Sequence, residues 1–334
     1  MLRFVVRRLL QVVPTLLLLS VLVFAWLRAL PGGPAAALLG DKATPEKIAS
    51  LNHVLGLDQP VWVQYLRFLG RAVTGDFGSS LITGDPVMTE IGRALPATVE
   101  LSVMALFIAV AAGVPLGYLA ATQRGRPLDS ATIIASLVGV AVPVFFLGYL
   151  LKAVFAVKLG WLPPSGRQSV GLDATRVTGF AVLDGLLTRE FDASWDALAH
   201  LVLPAVTVAT IPLAVIVRIT RASVLDVLGS DFVRTARAKG LAPVTIRGRH
   251  VLRNALLPVS TVIGLQTGLL LAGAVLTETV YVWGGLGTLL SEGIYRHDYP
   301  RLQALLLLGA LVYVVVNLLV DVSYAIIDPR VRLS

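Results

Sequence analysis

The sequence predicts an all-α integral membrane protein with six transmembrane helices. Hydrophobic residues make up 56% of its 334 residues and charged residues only 14%, whereas about one quarter of the residues in soluble domains are charged. The mean hydropathy is +0.81. The apolar residues are also gathered into long runs without Asp, Glu, Lys or Arg. Together, these observations favour a chain whose helices lie in a lipid bilayer.

Six charge-free runs are long enough to cross the bilayer. They are 19 to 24 residues long and occupy 9–27, 101–123, 130–151, 197–217, 254–277 and 302–320. A helix rises about 1.5 Å per residue, so about 20 residues cover the roughly 30 Å hydrocarbon core. Backbone polar groups must be satisfied inside lipid, and runs this continuous favour helices over barrel strands.

The basic residues predict the orientation. Arg3, Arg7 and Arg8 precede the first run, which places the N-terminus in the cytoplasm, and six crossings return the C-terminus there. The short segments that would then face inward carry 15 of the 28 Lys and Arg residues; they are 1–8, 122–130, 218–253 and 326–334. The first run exceeds the usual core of about 7–15 residues in a cleavable signal, so we expect a retained helix. The net charge of +8 is then mainly a topology signal, and no nucleic-acid partner is expected.

Two longer segments, 31–95 and 158–196, are expected outside. In the first, Thr44 is a candidate N-cap with Pro45 at the first helical position. A second short helix there would place four apolar residues on one face: Val61, Tyr65, Phe68 and Leu69. The second segment contains Trp161 and Trp195, which suit the membrane interface. We therefore divide the chain into 1–95, a first helix with an external segment, and 96–328, a compact bundle.

A basic, interrupted segment lies between the fourth and fifth runs. Ser230 is a candidate N-cap, and Asp231 favours a helix start. Phe232, Val233 and Ala236 would lie along one side of the helix, which Gly240 ends in a left-handed conformation before Pro243 opens another. About nine residues make too short a helix to be stable alone. The segment is either a docking element for a partner or a loop that is basic only for topology.

The motifs of this segment resemble those of a known family. "RTARAKGL" (234–241) followed by "RHVLRNALLP" (249–258) is similar to the cytoplasmic EAA loop of ABC importer permeases, in the dipeptide, oligopeptide and nickel branch. The likeness extends along nearly the whole chain through "LPATVELS" (95–102), "LTETVYVWGGLG" (276–287), "RHDYP" (296–300) and "NLLVDVSYAIIDPRVR" (317–332). Two departures are Arg234-Thr235-Ala236 for Glu-Ala-Ala and Pro31-Gly32-Gly33-Pro34 for Pro-Gly-Asp-Pro.

The resemblance implies a type I ABC importer permease bundle in the inner membrane. The expected partners are a second homologous permease, two ABC ATPase subunits that bind ATP, and an external substrate-binding lipoprotein. The cytoplasmic coupling loop would span 221–255. Its ATPase-coupling residues would be Asp231, Phe232, Arg234, Thr235, Ala236, Arg237, Ala238, Lys239 and Gly240. The chain contains no Gly-Lys dipeptide and hence no phosphate-binding P-loop, so ATP hydrolysis is expected on other subunits and no cofactor is expected here.

Other functions were weighed against this interpretation. No H-E-x-x-H or G-x-S-x-G motif and no cysteine is present, which argues against an intramembrane hydrolase. A secondary transporter or channel commonly needs ionisable groups at the membrane midplane, and the six runs contain none. Glu278, at the end of the fifth run, is either a polar contact at the rim or between helices, or a ligand for a substrate amine. Asp321, just after the last run and four residues after Asn317, is expected to be structural and to pair with a basic residue of another helix. The alternative for Asp321 and Asn317 is a place in the translocation pathway.

The substrate is less well determined by the sequence. Short peptides are the first expectation; nickel complexes, glutathione and other small solutes are the alternatives. The lack of cysteine and the scattered histidines make a metal site in this subunit improbable.

Overall fold

The computed structural model describes residues 2–29, 35–36, 39–40, 43–54 and 56–327. Within these ranges the fold is helical, with a single isolated bridge between Ser79 and Pro86. The 31–34 turn and the "DPRVR" end at 328–332 lie outside the described residues. Asp321 lies in a described helix, but its side chain is also outside that description.

Fourteen α-helices in the described ranges are labelled in chain order. They are α1 (Leu2–Arg28), α2 (Pro45–Val54), α3 (Val61–Thr74), α4 (Val87–Thr122), α5 (Pro127–Ala141), α6 (Val144–Leu151), α7 (Ala181–Leu187), α8 (Phe191–Leu228), α9 (Asp231–Ala238), α10 (Pro243–Thr245), α11 (Arg253–Gly273), α12 (Val275–Tyr281), α13 (Leu286–Tyr295) and α14 (Tyr299–Ile327). Two π-helical turns extend α6 and join α10 to α11; they are π1 (Lys152–Lys158) and π2 (Ile246–Leu252).

Four helices among the described residues are long and apolar enough to cross a membrane. They are α4, α8, the continuous stretch Pro243–Leu271, and Tyr299–Leu318 of α14. A fifth span is formed if α5 and the α6–π1 helix are counted together. The described apolar stretch of α1, Val12–Trp26, is shorter. Each predicted run thus coincides mainly with helix, but the count of six stays a prediction.

Two of the predicted runs are broken, which corrects their prediction as single helices. The third bends by 104° between α5 and α6. Val142 is extended there because Pro143 disfavours helical geometry in the residue before it and lacks an N–H. The fifth breaks between α11, which ends at Gly273, and α12, which begins at Val275. Both breaks lie beside α8, which is itself continuous through Pro204 and Pro212.

The core is the long contact between α4 and α8. Six small residues and one leucine follow one another at intervals of four along the buried side of α4: Ala97, Leu101, Ala105, Ala109, Gly113, Gly117 and Ala121. A Cβ on Gly117 would lie 2.6 Å from the Val217 carbonyl oxygen and 2.7 Å from Thr220 Cβ. The two backbones therefore touch. In lipid, where apolar burial gives little driving force, such close packing is a main source of helix association.

The first helix lies at the edge of the bundle and contacts α14 and α3. Tyr65 and Phe68 of α3 stack on Phe24 of α1, and the Tyr65 hydroxyl is 2.8 Å from Ser20 Oγ. The predicted apolar face of α3 is thus confirmed for these two residues, whereas Val61 is exposed. The Lys47 N–H donates to Thr44 Oγ1 over 3.4 Å, consistent with Thr44 as the N-cap of α2.

Two carboxylates order the 158–196 segment, one within it and one on the bundle helix α4. Asp184 accepts hydrogen bonds from the Thr178 N–H and hydroxyl and from the Gly179 N–H. Although burial raises the pKa of Asp184, these hydrogen bonds bring it below its usual value. Glu100 of α4 accepts from the Ala181 and Val182 N–H groups and from Arg167. These contacts give the polar segment a defined conformation.

Candidate functional site

The segment 231–240 forms the short helix that the sequence predicts. Helix α9 begins at Asp231, and Ser230 has the extended backbone of an N-cap residue. The Ser230 hydroxyl, however, donates to the Val227 carbonyl over 2.6 Å and makes no capping hydrogen bond, which corrects its expected role. Asp231 instead pairs with Arg234, one turn further along. The helix start therefore depends on backbone geometry and on the acid in its first turn.

The helix ends as predicted, in a left-handed glycine. Gly240 has φ +72°, the Gly240 N–H donates to the Arg237 carbonyl, and the Leu241 N–H donates to the Ala236 carbonyl. The last bond spans six residues, as in a Schellman termination. Nothing lies within 4 Å of a Cβ built on Gly240. The backbone angle, and not space, is thus what favours glycine here. Pro243 then opens α10 at its first position.

One side of α9 is buried in the chain's own bundle. Val233 is 0% exposed and Ala236 is 5% exposed. They share an apolar cluster with residues from the ends of α4, α8 and the π2–α11 helix: Ala121, Val224, Ile246, Val251 and Ala255. Ala236 therefore faces the chain's own bundle, although the sequence suggested that its small side chain allows a partner to approach. Phe232, expected beside these two residues, is 46% exposed.

The opposite side of α9 is open. Asp231, Arg234, Thr235, Arg237, Ala238 and Lys239 are all exposed. Within the described part of the chain, neither Arg237 nor Lys239 has an ion-pair partner. Ala238 lies between these cations and is the small residue on the open side. The result is an exposed face rich in basic residues, supported from beneath by the ends of three bundle helices.

An ion pair links the end of α8, which lies beneath α9, to the start of α5. Arg221, two turns before the end of α8, donates from Nε to Asp129 Oδ1 over 2.6 Å and from Nη2 to Oδ2 over 2.9 Å. Asp129 lies in the first turn of α5 and also accepts from the Gly125 N–H. A bidentate pair of this kind constrains both position and orientation. The end of α8 is thus fixed to the start of α5.

Glu278 is a buried contact between helices and not a rim carboxylate. It is 0% exposed; its Oε1 accepts from Thr98 Oγ1 of α4 over 2.6 Å and its Oε2 from the Thr288 N–H over 3.1 Å. A Cβ on Gly285 would lie 2.4 Å from Thr98 Oγ1 and 2.5 Å from Glu278 Oε2. Gly285 and Gly287 of "VWGGLG" are required because this loop wraps closely around the carboxylate.

Of the other two candidate polar residues, the structure describes the side chain of Asn317 but not that of Asp321. Asn317 Oδ1 is buried and has no hydrogen-bond partner among the described residues; it lies 3.3 Å from where a Cβ on Gly268 would lie. Asn317 thus faces the close α11–α14 contact. The Asp321 side chain lies outside the described residues, and its expected pairing has no structural counterpart here.

Sequence reasoning missed a buried charge cluster where the loop before α4 meets the α13–α14 connection. Arg301 is 1% exposed and donates to Glu90 from Nε over 2.9 Å and from Nη2 over 2.7 Å. Asp298, 0% exposed, accepts from Ser80 Oγ over 2.6 Å. Asp298 and the neighbouring "RHDYP" motif were visible in the sequence, but Glu90 lies 211 residues from Arg301. Local spacing carries no signal for such a pair.

Comparisons with known proteins agree with this architecture. Residues 113–333 match the family model "Binding-protein-dependent transport system inner membrane component", and residues 1–102 match the corresponding N-terminal model. The chain is 42% identical over 332 residues to "Dipeptide transport system permease protein DppB" of Alkalihalophilus pseudofirmus, covering 99% of this chain and 100% of the relative. It is 45% identical to "Di/tripeptide transport system permease protein DppB" of Pseudomonas aeruginosa, covering 99% of both.

A third relative has a different stated substrate. The chain is 40% identical over 332 residues to "Glutathione transport system permease protein GsiC" of Escherichia coli, covering 99% of both. The chain thus belongs to the family of inner-membrane permease components of binding-protein-dependent transport systems. It is a permease subunit of an ABC importer, an integral membrane protein and not an enzyme; ATP hydrolysis takes place on separate subunits. Membership of this class implies ATPase and substrate-binding partners. The bundle is therefore that of an ABC importer permease and not that of a secondary transporter.

Proposed function

We propose that this subunit carries dipeptides and short oligopeptides across the cytoplasmic membrane. Support comes from two full-length relatives that are named for dipeptide or di/tripeptide transport. The third, named for glutathione, makes glutathione the second candidate. Uptake of radiolabelled Ala-Phe by the reconstituted importer, competed with unlabelled glutathione, would separate the two. Competition by Ala-Phe but not by glutathione is expected.

The assembly that we propose contains this chain, a second homologous permease, two ATPases and an external lipoprotein that delivers substrate. Both termini are cytoplasmic, 31–95 and 158–196 face outward, and the bundle domain runs from 96 to 328. The bias of Lys and Arg toward the short segments supports this orientation. In this orientation the coupling loop, 221–255, lies on the ATPase side.

The open side of α9 is the proposed contact with an ATPase. The observation that carries this proposal is the division of α9 into a face buried on three helix ends and an exposed basic face. A helix of eight residues that transmits force must be attached on both sides, since alone it is unstable. ATP-driven approach of the two ATPases would move α9, and the packing of Val233 and Ala236 would pass that movement to α4, α8 and α11. The Arg221–Asp129 pair would extend it to α5.

A substitution on the open side tests the contact without disturbing the bundle. Ala238→Trp places a large side chain at the centre of the exposed face. We expect the permease to accumulate and insert normally, while co-purification of the ATPases and substrate uptake fall together. Ala49→Trp, on an exposed position of α2, is the matched control and should change neither. Normal ATPase association by Ala238→Trp would show that the segment is only a topology loop.

A further inference from the structure

A cavity opens beside the two broken helices. It measures about 400 Å³ and lies between α6, α8, α11 and α12. Its walls are mostly apolar and include Phe145, Pro212, Leu270 and Leu276. Small-molecule sites usually measure about 300–1,000 Å³. The cavity is therefore large enough for a small solute or for part of a short peptide.

One residue of the cavity wall is unusual for an apolar groove. Gln266 lines the cavity and is only 6% exposed, yet its carboxamide makes no hydrogen bond within the described part of the chain. The polar atoms of Gln266 are not among the fully buried unpaired atoms of the described residues, so the carboxamide is accessible from the cavity and free to hydrogen-bond a molecule that enters it. Thr277, 2% exposed, adds a hydroxyl to the same wall.

The depth of Gln266 favours a solute over lipid. Gln266 lies about 20 Å along the helix from Arg253, at about 1.5 Å per residue, and hence well inside a roughly 30 Å hydrocarbon core, about two thirds of the way across. Acyl chains carry no hydrogen-bonding groups and would leave the carboxamide unsatisfied. Polar side chains at this depth usually face the interior of a bundle or an aqueous path.

We propose that this cavity is a subsite of the translocation pathway for short peptides, and that Gln266 hydrogen-bonds the peptide backbone there. A carboxamide both donates and accepts, so it matches the N–H and C=O of a peptide unit. The apolar walls accept a substrate side chain without regard to its sequence. Because Gln266 is neutral, it holds a zwitterionic peptide weakly enough for onward release. This assignment rests on the proposed peptide substrate.

Substitution of Gln266 in the complete importer tests the proposal. In proteoliposomes with both permeases, the ATPases and the binding protein, ATP-driven uptake of Ala-Phe by Gln266→Leu should fall about fivefold or more, from the loss of one hydrogen bond. Gln266→Asn keeps the carboxamide and should recover part of the rate. The thermal unfolding midpoint of Gln266→Leu should be unchanged or higher, because the unpaired group is gone; a purely structural role predicts a lower midpoint.

Thiol labelling adds a direct test in this cysteine-free chain. Leu269, which lines the cavity, and Leu265, which does not, are 56% and 51% exposed on the same helix. Ala-Phe should slow labelling of Leu269→Cys by N-ethylmaleimide and leave Leu265→Cys unaffected. Uptake at the wild-type rate by the Gln266→Leu importer would overturn the proposed subsite but not the proposed peptide substrate. An equal effect of Ala-Phe on labelling at both positions would do the same.

Two further outcomes also count against it. Loss of permease–permease association in Gln266→Leu would assign the cavity to the subunit interface. Failure of the wild-type importer to carry Ala-Phe would refute the proposed substrate, and with it the subsite.

Discussion

The attachment of α9 to the bundle can be weakened without touching its open face. Val233 is fully buried, and Val233→Ala removes two methyl groups from the cluster beneath the helix. At about 0.8 kcal/mol per buried methyl or methylene group, the transfer term is roughly 1.6 kcal/mol. The cavity left behind raises the cost to about 2–3 kcal/mol. This corresponds to a roughly 30- to 150-fold shift in the docking equilibrium of α9.

The expected result is uncoupling. Because the open face is unchanged, Val233→Ala should still bind the ATPases, but their ATP hydrolysis should drive less substrate uptake. The assay is the ratio of Ala-Phe taken up to phosphate released in proteoliposomes. Val244→Ala removes the same atoms from an 80% exposed position in α10 and should leave the ratio unchanged. A wild-type ratio for Val233→Ala would refute the view that force passes through this packing.

Three further predictions concern stability and topology. Gly285→Ala forces its Cβ against Thr98 and Glu278, and should destabilise the bundle by about 2–4 kcal/mol in thermal unfolding. Gly92 is exposed in α4 with open space around it, so the control Gly92→Ala should not destabilise the bundle. The folded-state pKa of Asp184 is lowered, so its stabilising contribution is present above the ordinary carboxyl pKa and is lost as pH falls through the folded-state pKa. The difference between wild type and Asp184→Ala in the rate of proteolysis of 158–196 should therefore shrink at acid pH. A difference that stays constant with pH would contradict this. In intact cells an impermeant thiol reagent should label Ser79→Cys but not Arg124→Cys, and the reverse pattern would invert the proposed topology.

Local backbone preferences made much of the segment 231–243 predictable. The left-handed residue at Gly240 and the helix start at Pro243 both appear in the structure because backbone preference at Gly and Pro is decided within a few residues. The break before Pro143 had the same kind of signal, but hydropathy alone joined the two helices into one run. The sequence contained the information, and the apolar composition of the run concealed it.

The orientation of α9 could not be obtained in this way. Periodicity placed Phe232, Val233 and Ala236 on one side, yet which part of that side is buried depends on the helix ends beneath it. Those ends come from α4, α8 and the π2–α11 helix, which are distant in the chain. Only their assembly placed Ala236 inside and left Phe232 half exposed and Ala238 open.

The sequence by itself determined that this is a membrane protein, where its helical runs lie, and that Gly240 and Pro243 shape the segment after α8. Hydrophobic length and backbone preference are local properties. The tertiary structure decided which polar groups are satisfied. Thr98 reaches Glu278 across 180 positions of the chain, and Arg301 reaches Glu90 across 211. Gln266 meets no such partner among the described residues. Satisfaction of a buried polar group depends on the few ångströms around it, and those neighbours are chosen by packing between helices that are remote in sequence.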